Sequence, residues 1–393
     1  MLKKLSIYWR NQTGVHTVEN KNKVQITNVE NFTSKQYIYT DDWNELFITL
    51  PDAITDHSIS ILQKGIRYHE DTQYTALKQC MHLRLLSIGK FEILAYMSGS
   101  QAIEMAILLT QQRFVCKKLF KMEKIYHGLN IQNWEEGITS ICNMDIEYIT
   151  ISQDGEVNTA VLLAEENAII LIEPLYIFAK YGIKKMHNIL KTLQSIAEEK
   201  QHKIIVDEVR SGVFKTGTFL LSEQVSSFKP AVICLSKGMA LSVALSVCCF
   251  NSNLFPSKFL KNNDIIKSNL SLSALALQRA VDLLRYVADE MNENELYQKS
   301  NVIASEIKKH CNQLVDSHYI CAIHVIGSTC VLVFNSDVSL SKRRSFRMFL
   351  LASHIIIRHF EDNLLYINFP LDIKTNQIDS VMLKIGEAVK LLK

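Results

Sequence analysis

Four short polar segments follow apolar runs in this sequence, and each brings a different chemical function. The first is Met97-Ser98-Gly99-Ser100-Gln101-Ala102, where the glycine permits a tight turn and a predicted helix begins. Unpaired N–H groups and the helix dipole favour an anion at such a point, so this turn could hold a phosphate. Considered alone, it is better explained as a serine N-cap with nothing bound.

The second and third segments supply an aromatic ring and two carboxylates. Tyr126-His127-Gly128 follows a short apolar run, and the tyrosine could lie against a planar ligand ring, although core packing explains it better in isolation. Asp207 and Glu208 follow the apolar run 204–206. A carboxylate there could keep a ring nitrogen protonated, because opposite charges stabilise each other. The alternatives are a solvated strand end or a Mg²⁺ ligand, but the sequence has no GxxxxGK[ST] loop to support a nucleotide hydrolase.

The fourth segment places an amine after a buried strand. Lys237 comes two residues after the apolar run Val232–Leu235, where burial of an ammonium group is costly unless it is paired or used covalently. Lysine amines form Schiff bases with carbonyl compounds and with pyridoxal phosphate when their surroundings lower the pKa. The ordinary alternative is a surface lysine at a strand end.

These segments need a scaffold that brings strand ends together. From about residue 91, apolar runs alternate with helical patterns such as 101–112 and 184–200, which predicts βα units and a mainly parallel sheet. Seven runs predict strands buried on both faces: Glu92–Met97, Glu123–Tyr126, Ile146–Thr150, Ala168–Ile172, Lys203–Val206, Val232–Leu235 and Leu245–Phe250. Because parallel strands end at one edge of a sheet, we expect the four segments to meet there.

The remainder of the chain predicts a second α/β lobe. Its expected elements are edge strands over 23–29 and 36–39, helices over 272–291 and 296–314, a hairpin region over 320–335, a helix over 341–354, a strand over 364–369 and a final helix over 375–392.

Composition excludes several classes of protein. With 393 residues, 48% hydrophobic residues and a net charge of +3, the chain is long enough for two packed lobes and resembles neither a disordered protein nor a dedicated nucleic-acid binder. Nine cysteines without a CxxC pair indicate a reducing compartment. The N-terminus lacks the apolar core of a secretory signal, and the run 239–250 is too short to span a bilayer. We therefore expect a cytoplasmic protein with neither a membrane segment nor a metal site.

Together and in order, these segments resemble the motifs of the class-III, or ornithine/omega-type, aminotransferases of pyridoxal-phosphate fold type I. Residues 98–102 are similar to the family's SGSEA turn, residues 126–128 to its YHG, and Glu173-Pro174 to its EP. Residues 207–217, DEVRSGVFKTG, resemble the family's DEVQTGFGRTG, and Lys237 follows at the spacing of the family's lysine.

The resemblance implies an architecture and a set of partners. We expect an α/β large domain with a mostly parallel seven-stranded sheet over residues 51–265, and a small α/β domain built from both chain ends. Residues 1–50 would form its N-terminal part, and residues 266–393 an interdomain helix and its C-terminal part. The resemblance also implies a homodimer with active sites at the interface.

Each site residue receives an implied role. Lys237 would hold pyridoxal 5'-phosphate as a Schiff base and act as general acid and base, and Asp207 would pair with the pyridinium nitrogen. The other implied cofactor contacts are Ser98, Gly99 and Ser100 at the phosphate, Tyr126 and Val209 on the two ring faces, Glu173, Arg210, and Ser268 or Asn269 of the partner subunit.

Several departures from the family concern the substrate side. Arg210 replaces the family's glutamine and adds a cation near the ring oxygen, and residues 175–180 replace a glycine-rich segment. Tyr366 stands where the family often has an arginine that grips a substrate α-carboxylate. Arg358 either substitutes for it or is a surface charge. We therefore expect a divergent enzyme, in a specialised biosynthetic pathway, whose amine or carbonyl substrate lacks a free α-carboxylate.

The expected function is pyridoxal-phosphate-dependent transfer of an amino group between an amine donor and a ketone or aldehyde. An aminomutase, racemase or decarboxylase of the same fold would need the same Lys237 and Asp207, so these residues do not separate the reactions. From another class, a non-catalytic homologue could act as a binding subunit. The joint retention of lysine, aspartate, aromatic residue and phosphate turn argues against that alternative.

Overall fold

A seven-stranded sheet forms the centre of the protein. The computed structural model describes residues 16–20, 23–27, 38–39, 70–136, 144–240, 243–263, 272–315, 318–357 and 362–392. The strands of this sheet are β4 (Phe91–Tyr96), β5 (Lys118–Met122), β6 (Asp145–Ile149), β7 (Ile169–Ile172), β8 (Lys203–Asp207), β9 (Val232–Leu235) and β10 (Ser246–Asn251). Their order is β4-β10-β9-β8-β7-β5-β6, and β10 alone runs antiparallel to its neighbours. The expectation of a mostly parallel seven-stranded sheet is confirmed.

Helices cover both faces of the sheet, because alternate strand residues point to opposite sides. The helices of this part are α1 (Glu70–Arg84), α2 (Gly99–Phe114), α3 (Leu129–Glu135), α4 (Ala160–Leu163), α5 (Pro174–Glu199) and α6 (Ser257–Lys261). On β8, Ile205 packs in the cluster that includes α2, whereas Ile204 and Val206 pack in the cluster that includes α5. This two-sided burial explains why the central strands are continuous apolar runs.

Two predicted elements in the region of this sheet differ clearly from the structure, and both differences have a physical reason. The predicted strand 123–126 was wrong, because the strand is β5 and residues 123–126 form the turn after it. Lys118 and Lys121 interrupt the apolar pattern of β5, yet each is paired with a carboxylate. Helix α5 begins at Pro174, ten residues before the predicted start at Lys184, with a break at Gly182 (φ 77°). The segment after Glu173-Pro174 is therefore helical.

A smaller antiparallel sheet lies in the C-terminal part. Its strands are β11 (Ile320–Ile326), β12 (Thr329–Phe334) and β14 (Leu364–Asn368), and its helices are α7 (Ala274–Tyr286), α8 (Glu290–Val315), α9 (Leu340–Ala352) and α10 (Thr375–Lys390). Near the N-terminus, β1 (His16–Asn20) and β2 (Lys23–Thr27) form a hairpin, and β3 (Ile38–Tyr39) pairs in parallel with β13 (Ile355–Ile356). We propose that the two larger sheets belong to two domains divided as the sequence predicts. Within the described ranges, no helix combines the length and apolar character needed to cross a bilayer.

The two sheets are joined where the β11–β12 turn meets residues 215–217. The Lys215 carbonyl accepts hydrogen bonds from the backbone N–H and hydroxyl of Ser328, both at 3.1 Å, and from the Thr329 hydroxyl at 3.4 Å. Gly327 has φ +54°, and a Cβ there would lie 2.5 Å from the backbone nitrogen of Gly217. This close approach of two backbones requires glycine.

Replacement of Gly327 by alanine is expected to destabilise the junction between the two sheets. The added methyl group would clash with backbone atoms, so we expect Gly327→Ala to lower the free energy of unfolding by about 2 kcal/mol or more. Gly386→Ala is the matched control, because its Cβ would meet only Leu314 Cδ2 at 3.6 Å, within helix α10. That control should be neutral or stabilising by up to about 1 kcal/mol. Urea titrations of both variants measure the difference, and equal stability would contradict the proposed clash.

Candidate active site

The predicted phosphate turn, residues 98–102, lies at the start of helix α2. Ser98 is its N-cap, and the serine hydroxyl accepts a hydrogen bond from the Gln101 backbone N–H at 3.2 Å. A Cβ at Gly99 would lie 2.9 Å from Cγ1 of Val209 and 3.5 Å from Cβ of Ser236. Glycine therefore allows the turn to lie against the segments that follow β8 and β9. The first turn of this 16-residue helix presents backbone donors to an anion at that point.

The Tyr126-His127-Gly128 turn packs directly on the phosphate turn. Gly128 has φ +112°, and a Cβ there would lie 2.7 Å from the Cβ of Ser100. The Tyr126 side chain is 51% exposed, an unusual position for a large aromatic residue in a packed turn, whereas His127 is buried. An exposed ring beside an anion site is available to stack on a planar ligand.

Asp207 ends β8 and is held by two donors. Its Oδ1 accepts a hydrogen bond from the Val209 backbone N–H at 3.0 Å, and its Oδ2 lies 2.8 Å from Nδ1 of His127. Burial lowers the pKa of the His127 imidazole, although the neighbouring Asp207 carboxylate opposes the shift. A neutral His127 then donates its Nδ1 proton to Asp207. Its Nε2 is buried without a hydrogen-bond partner among the described residues.

Glu208, the second carboxylate of the pair, faces a different environment. It accepts hydrogen bonds from the backbone N–H groups of Leu221 (3.1 Å) and Ser222 (2.7 Å) and from the Ser211 hydroxyl. Burial raises the pKa of its carboxyl group. Glu208 thus anchors the loop after β8 and does not join Asp207 in one site. No group of three potential metal ligands occurs in the parts of the chain that the structure describes.

Lys237 begins a short 3₁₀ turn, Lys237–Ala240, at the end of β9. Its φ of +45° is unusual for a residue with a side chain and marks a backbone held by its surroundings. The preceding Ser236 donates from its hydroxyl to the Leu245 carbonyl at 3.3 Å and accepts from the Ser246 hydroxyl at 2.6 Å. Since β9 is the neighbour of β8, Lys237 and Asp207 lie at the same ends of two adjacent strands.

A buried ion pair lies beside this edge. The Arg210 Nε and Nη2 atoms donate to Oε1 and Oε2 of Glu173 at 2.5 and 2.9 Å, which is a bidentate arrangement. The Arg210 guanidinium carbon also lies 4.5 Å from the ring centroid of Tyr366. The cation that the sequence predicts is therefore compensated by a carboxylate and covered by an aromatic ring.

The structure brings together most of the predicted site segments. The residues that lie at strand ends, turns and a helix start meeting at one sheet edge are Ser98, Gly99, Ser100, Tyr126, Asp207, Val209 and Lys237, with Glu173 and Arg210 beside them. Ser268, Asn269 and Arg358 lie outside the described residues. Sequence reasoning missed the hydrogen bond of His127 to Asp207, because the two residues are 80 positions apart and meet only in the folded protein. It also missed Lys121, whose sole signal is a charge within an apolar run.

The residues at this edge fit pyridoxal phosphate. A helix N-terminus suits its phosphate, a carboxylate suits its ring nitrogen, an exposed aromatic ring suits its planar face, and a lysine amine suits its aldehyde. Glycine at position 99, where a side chain would collide with Val209, lets the start of α2 pack directly against the segment that follows Asp207. The donor set therefore agrees with the cofactor that the sequence resemblance implies.

Comparisons with known proteins agree with this site. A family model described as class-III aminotransferase matches residues 153–389. The acetylornithine aminotransferase of Methanopyrus kandleri is 26% identical over 148 residues, 36% of this chain and 37% of that protein. The diaminobutyrate--2-oxoglutarate transaminase of Marinococcus halophilus is 30% identical over 128 residues, 31% of this chain and 28% of that protein. The chain thus aligns with less than half the length of these curated relatives.

Solved structures show that the fold is shared over nearly the whole chain. A Bacillus anthracis aminotransferase superposes with a TM-score of 0.74 at 15% identity, covering 99% of this chain and 98% of its own. An ornithine aminotransferase from Plasmodium yoelii superposes with a TM-score of 0.67 at 18% identity, covering 97% and 95% of the two chains.

The buried His127 predicts a pH dependence of stability. Because its pKa is lower in the folded protein than in the unfolded chain, its contribution is complete above about pH 6.5 and is lost as the pH falls toward the folded-state value. Between about pH 7.5 and about pH 5.5, we expect the wild type to lose about 1 kcal/mol more unfolding free energy than His127→Gln. Urea titrations at both values test this. His318→Gln, at an exposed position, should follow the wild type, and equal losses in all three proteins would contradict the prediction.

Proposed function

The chain belongs to the class-III aminotransferase family, and from that premise we propose that it is a pyridoxal-phosphate-dependent aminotransferase acting between an amine donor and a ketone or aldehyde. The observation that carries the proposal is the meeting of the Gly99 turn, the His127–Asp207 pair and the Lys237 turn at one sheet edge. Within this proposal, Lys237 and Asp207 are the catalytic residues.

Each residue has a task that follows from its position. Gly99, with its serine neighbours, binds the phosphate at the start of α2, and Tyr126 and Val209 enclose the ring. Asp207 holds the proton of the ring nitrogen, and His127 orients that carboxylate. Lys237 would hold the cofactor through its Nζ, and the same amine would serve as the base and acid for the proton on the reacting substrate carbon. When bound, the cofactor supplies an electron sink for the charge left on that carbon.

The surroundings of Arg210 support a donor that lacks an α-carboxylate. The Arg210 charge is already compensated by Glu173, and Tyr366 covers the guanidinium, so this buried group offers no uncompensated positive charge to a carboxylate. The helical segment after Glu173 adds buried apolar residues to the cluster that includes Tyr366. We therefore propose an amine without an α-carboxylate as the preferred donor.

The assembly and location belong to the same proposal. Met97 and Tyr126, which flank the phosphate turn, are 48% and 51% exposed, and this exposed apolar edge supports a homodimer with active sites at its interface. Ser268 or Asn269 of the partner subunit would then complete the phosphate site. The eight described cysteines form no disulfide, which supports a cytoplasmic enzyme.

Loss of Lys237 is expected to abolish covalent attachment of the cofactor. With added pyridoxal phosphate, we expect the wild type to show a visible absorption band that Lys237→Ala lacks, and borohydride reduction should leave the cofactor mass on the Lys237 peptide. Lys229→Ala, at an exposed position, is the control and should keep the band. Candidate amines should bleach the band, and a carbonyl acceptor should restore it with formation of the aminated product.

The outcomes of this experiment separate the alternatives. An absorption band without net amino transfer, together with isomerised, racemised or decarboxylated product, would favour another reaction of the same fold. The absence of a band in the wild type would favour the non-catalytic binding subunit.

The compensated Arg210 predicts the choice between two closely related amines. We expect kcat/KM for butylamine to exceed that for norvaline, its α-carboxylated analogue, by about tenfold or more, because norvaline must bury an uncompensated carboxylate. Glu173→Gln removes the compensating charge and should reduce this preference. Stopped-flow measurement of the first half-reaction gives both ratios. A wild type that prefers norvaline would overturn the proposed donor class while leaving the aminotransferase proposal intact.

A further inference from the structure

A fully buried lysine lies behind the turn that carries Tyr126 and His127. Lys121 is near the end of β5, and its side chain has no exposed area. Its Nζ donates to Oε1 of Glu135 at 2.6 Å and to the carbonyl oxygen of Ile125 at 3.1 Å. The Tyr148 hydroxyl also donates to Oε1 of Glu135, at 3.2 Å.

These contacts tie three pieces of the chain together. Lys121 belongs to strand β5, Ile125 immediately precedes Tyr126 in the turn, and Glu135 ends helix α3. The turn itself passes through two residues with positive φ, Lys124 at +63° and Gly128 at +112°. The buried Ile125 carbonyl receives its hydrogen bond from a charged donor, which holds the turn at its midpoint.

Stability alone explains this lysine poorly. Burial of an ion pair removes two charges from water, and replacement of such a pair by apolar residues is often neutral or stabilising. A second lysine on the same strand, Lys118, pairs with Glu147 and Glu165 at partly exposed positions, where water solvates the charges. Desolvation lowers the pKa of Lys121 despite the Glu135 carboxylate, so the buried position is unfavourable for a cation. The contacts that Lys121 makes therefore explain its buried position better than stability does.

We propose that Lys121, held by Glu135, is a positioning residue that sets the turn presenting His127 to Asp207 and Tyr126 to the cofactor ring. The part that concerns the ring rests on the proposed function. The part that concerns His127 and Asp207 involves only the chain itself and is testable without cofactor. The positive charge of Lys121 also disfavours protonation of His127, which is consistent with a neutral imidazole that donates to Asp207.

The test requires removal of both charges of the Lys121–Glu135 pair, so that neither is left buried without its partner. Lys121→Met alone would leave Glu135 with a missing partner and could unfold the protein. The double variant Lys121→Met/Glu135→Met removes both charges and keeps similar side-chain volumes. Lys118→Met/Glu147→Met is the matched control, because it removes an ion pair from the same two-strand region at partly exposed positions.

Two measurements follow the consequences in the full chain. In the cofactor-free protein, NMR of ¹⁵N-labelled histidine should show a slowly exchanging Nδ1 proton of His127, assigned by its loss in His127→Gln. We expect the Lys121→Met/Glu135→Met variant to lose this protection from exchange, because the turn no longer holds the imidazole against Asp207. We also expect its dissociation constant for pyridoxal phosphate to rise about tenfold or more. The control variant should match the wild type in both measurements.

The outcomes distinguish this proposal from the proposed function. An unchanged His127 signal in the folded Lys121→Met/Glu135→Met variant would overturn the positioning role, whatever its cofactor affinity. If the wild type binds no pyridoxal phosphate, the proposed function fails, yet the His127 signal still decides whether Lys121 positions the turn. Loss of the signal in the double variant and its retention in the control support the proposal.

Discussion

The hydrogen bond between His127 and Asp207 is the contact on which the site depends. It joins the turn after β5 to the end of β8, although β7 lies between these strands in the sheet. A carboxylate at a strand end would otherwise turn toward water, but burial, the His127 donor and the Val209 N–H hold it in one orientation. A charge can act on one atom of a ligand only when its direction is fixed in this way. The parallel sheet makes the contact possible because it brings both strand ends to one edge.

The second constraint is that each buried ionisable side chain around the site needs a hydrogen-bonding or oppositely charged partner. Glu208 is satisfied by backbone N–H groups and a hydroxyl, Arg210 by Glu173, and Lys121 by Glu135 and a carbonyl. Each of these pairings also fixes a piece of backbone. Those of Glu208 and Arg210 fix the loop after β8, and that of Lys121 fixes the turn before His127. Buried charges therefore serve here as geometric constraints, although each costs desolvation energy.

The sequence predicts the sheet and the order of its site segments better than it predicts their connections. The run Val232–Leu235 coincides with β9 because strands buried on both faces are continuously apolar. Strand β5 was misplaced because Lys121 looks incompatible with a buried strand until Glu135 is seen beside it. The compensation of Arg210 by Glu173 was equally invisible, since their pairing follows from the tertiary approach of β7 and β8. Patterns along the chain indicate which residues are buried, but they do not indicate which side chains meet.

The two sides of the site depend on different parts of the fold. The phosphate turn, His127, Asp207 and Lys237 all lie at or just after strand ends of the seven-stranded sheet, so that sheet positions this chain's own residues on the proposed cofactor side. The proposed substrate side is composite, because Arg210 belongs to the loop after β8 whereas Tyr366 lies on β14. The same loop continues to Lys215, whose carbonyl binds the β11–β12 turn. A shift between the sheets would therefore move Tyr366 relative to Arg210 while leaving the His127–Asp207 pair in place, so substrate choice should respond to the junction at Gly327 more than cofactor binding does.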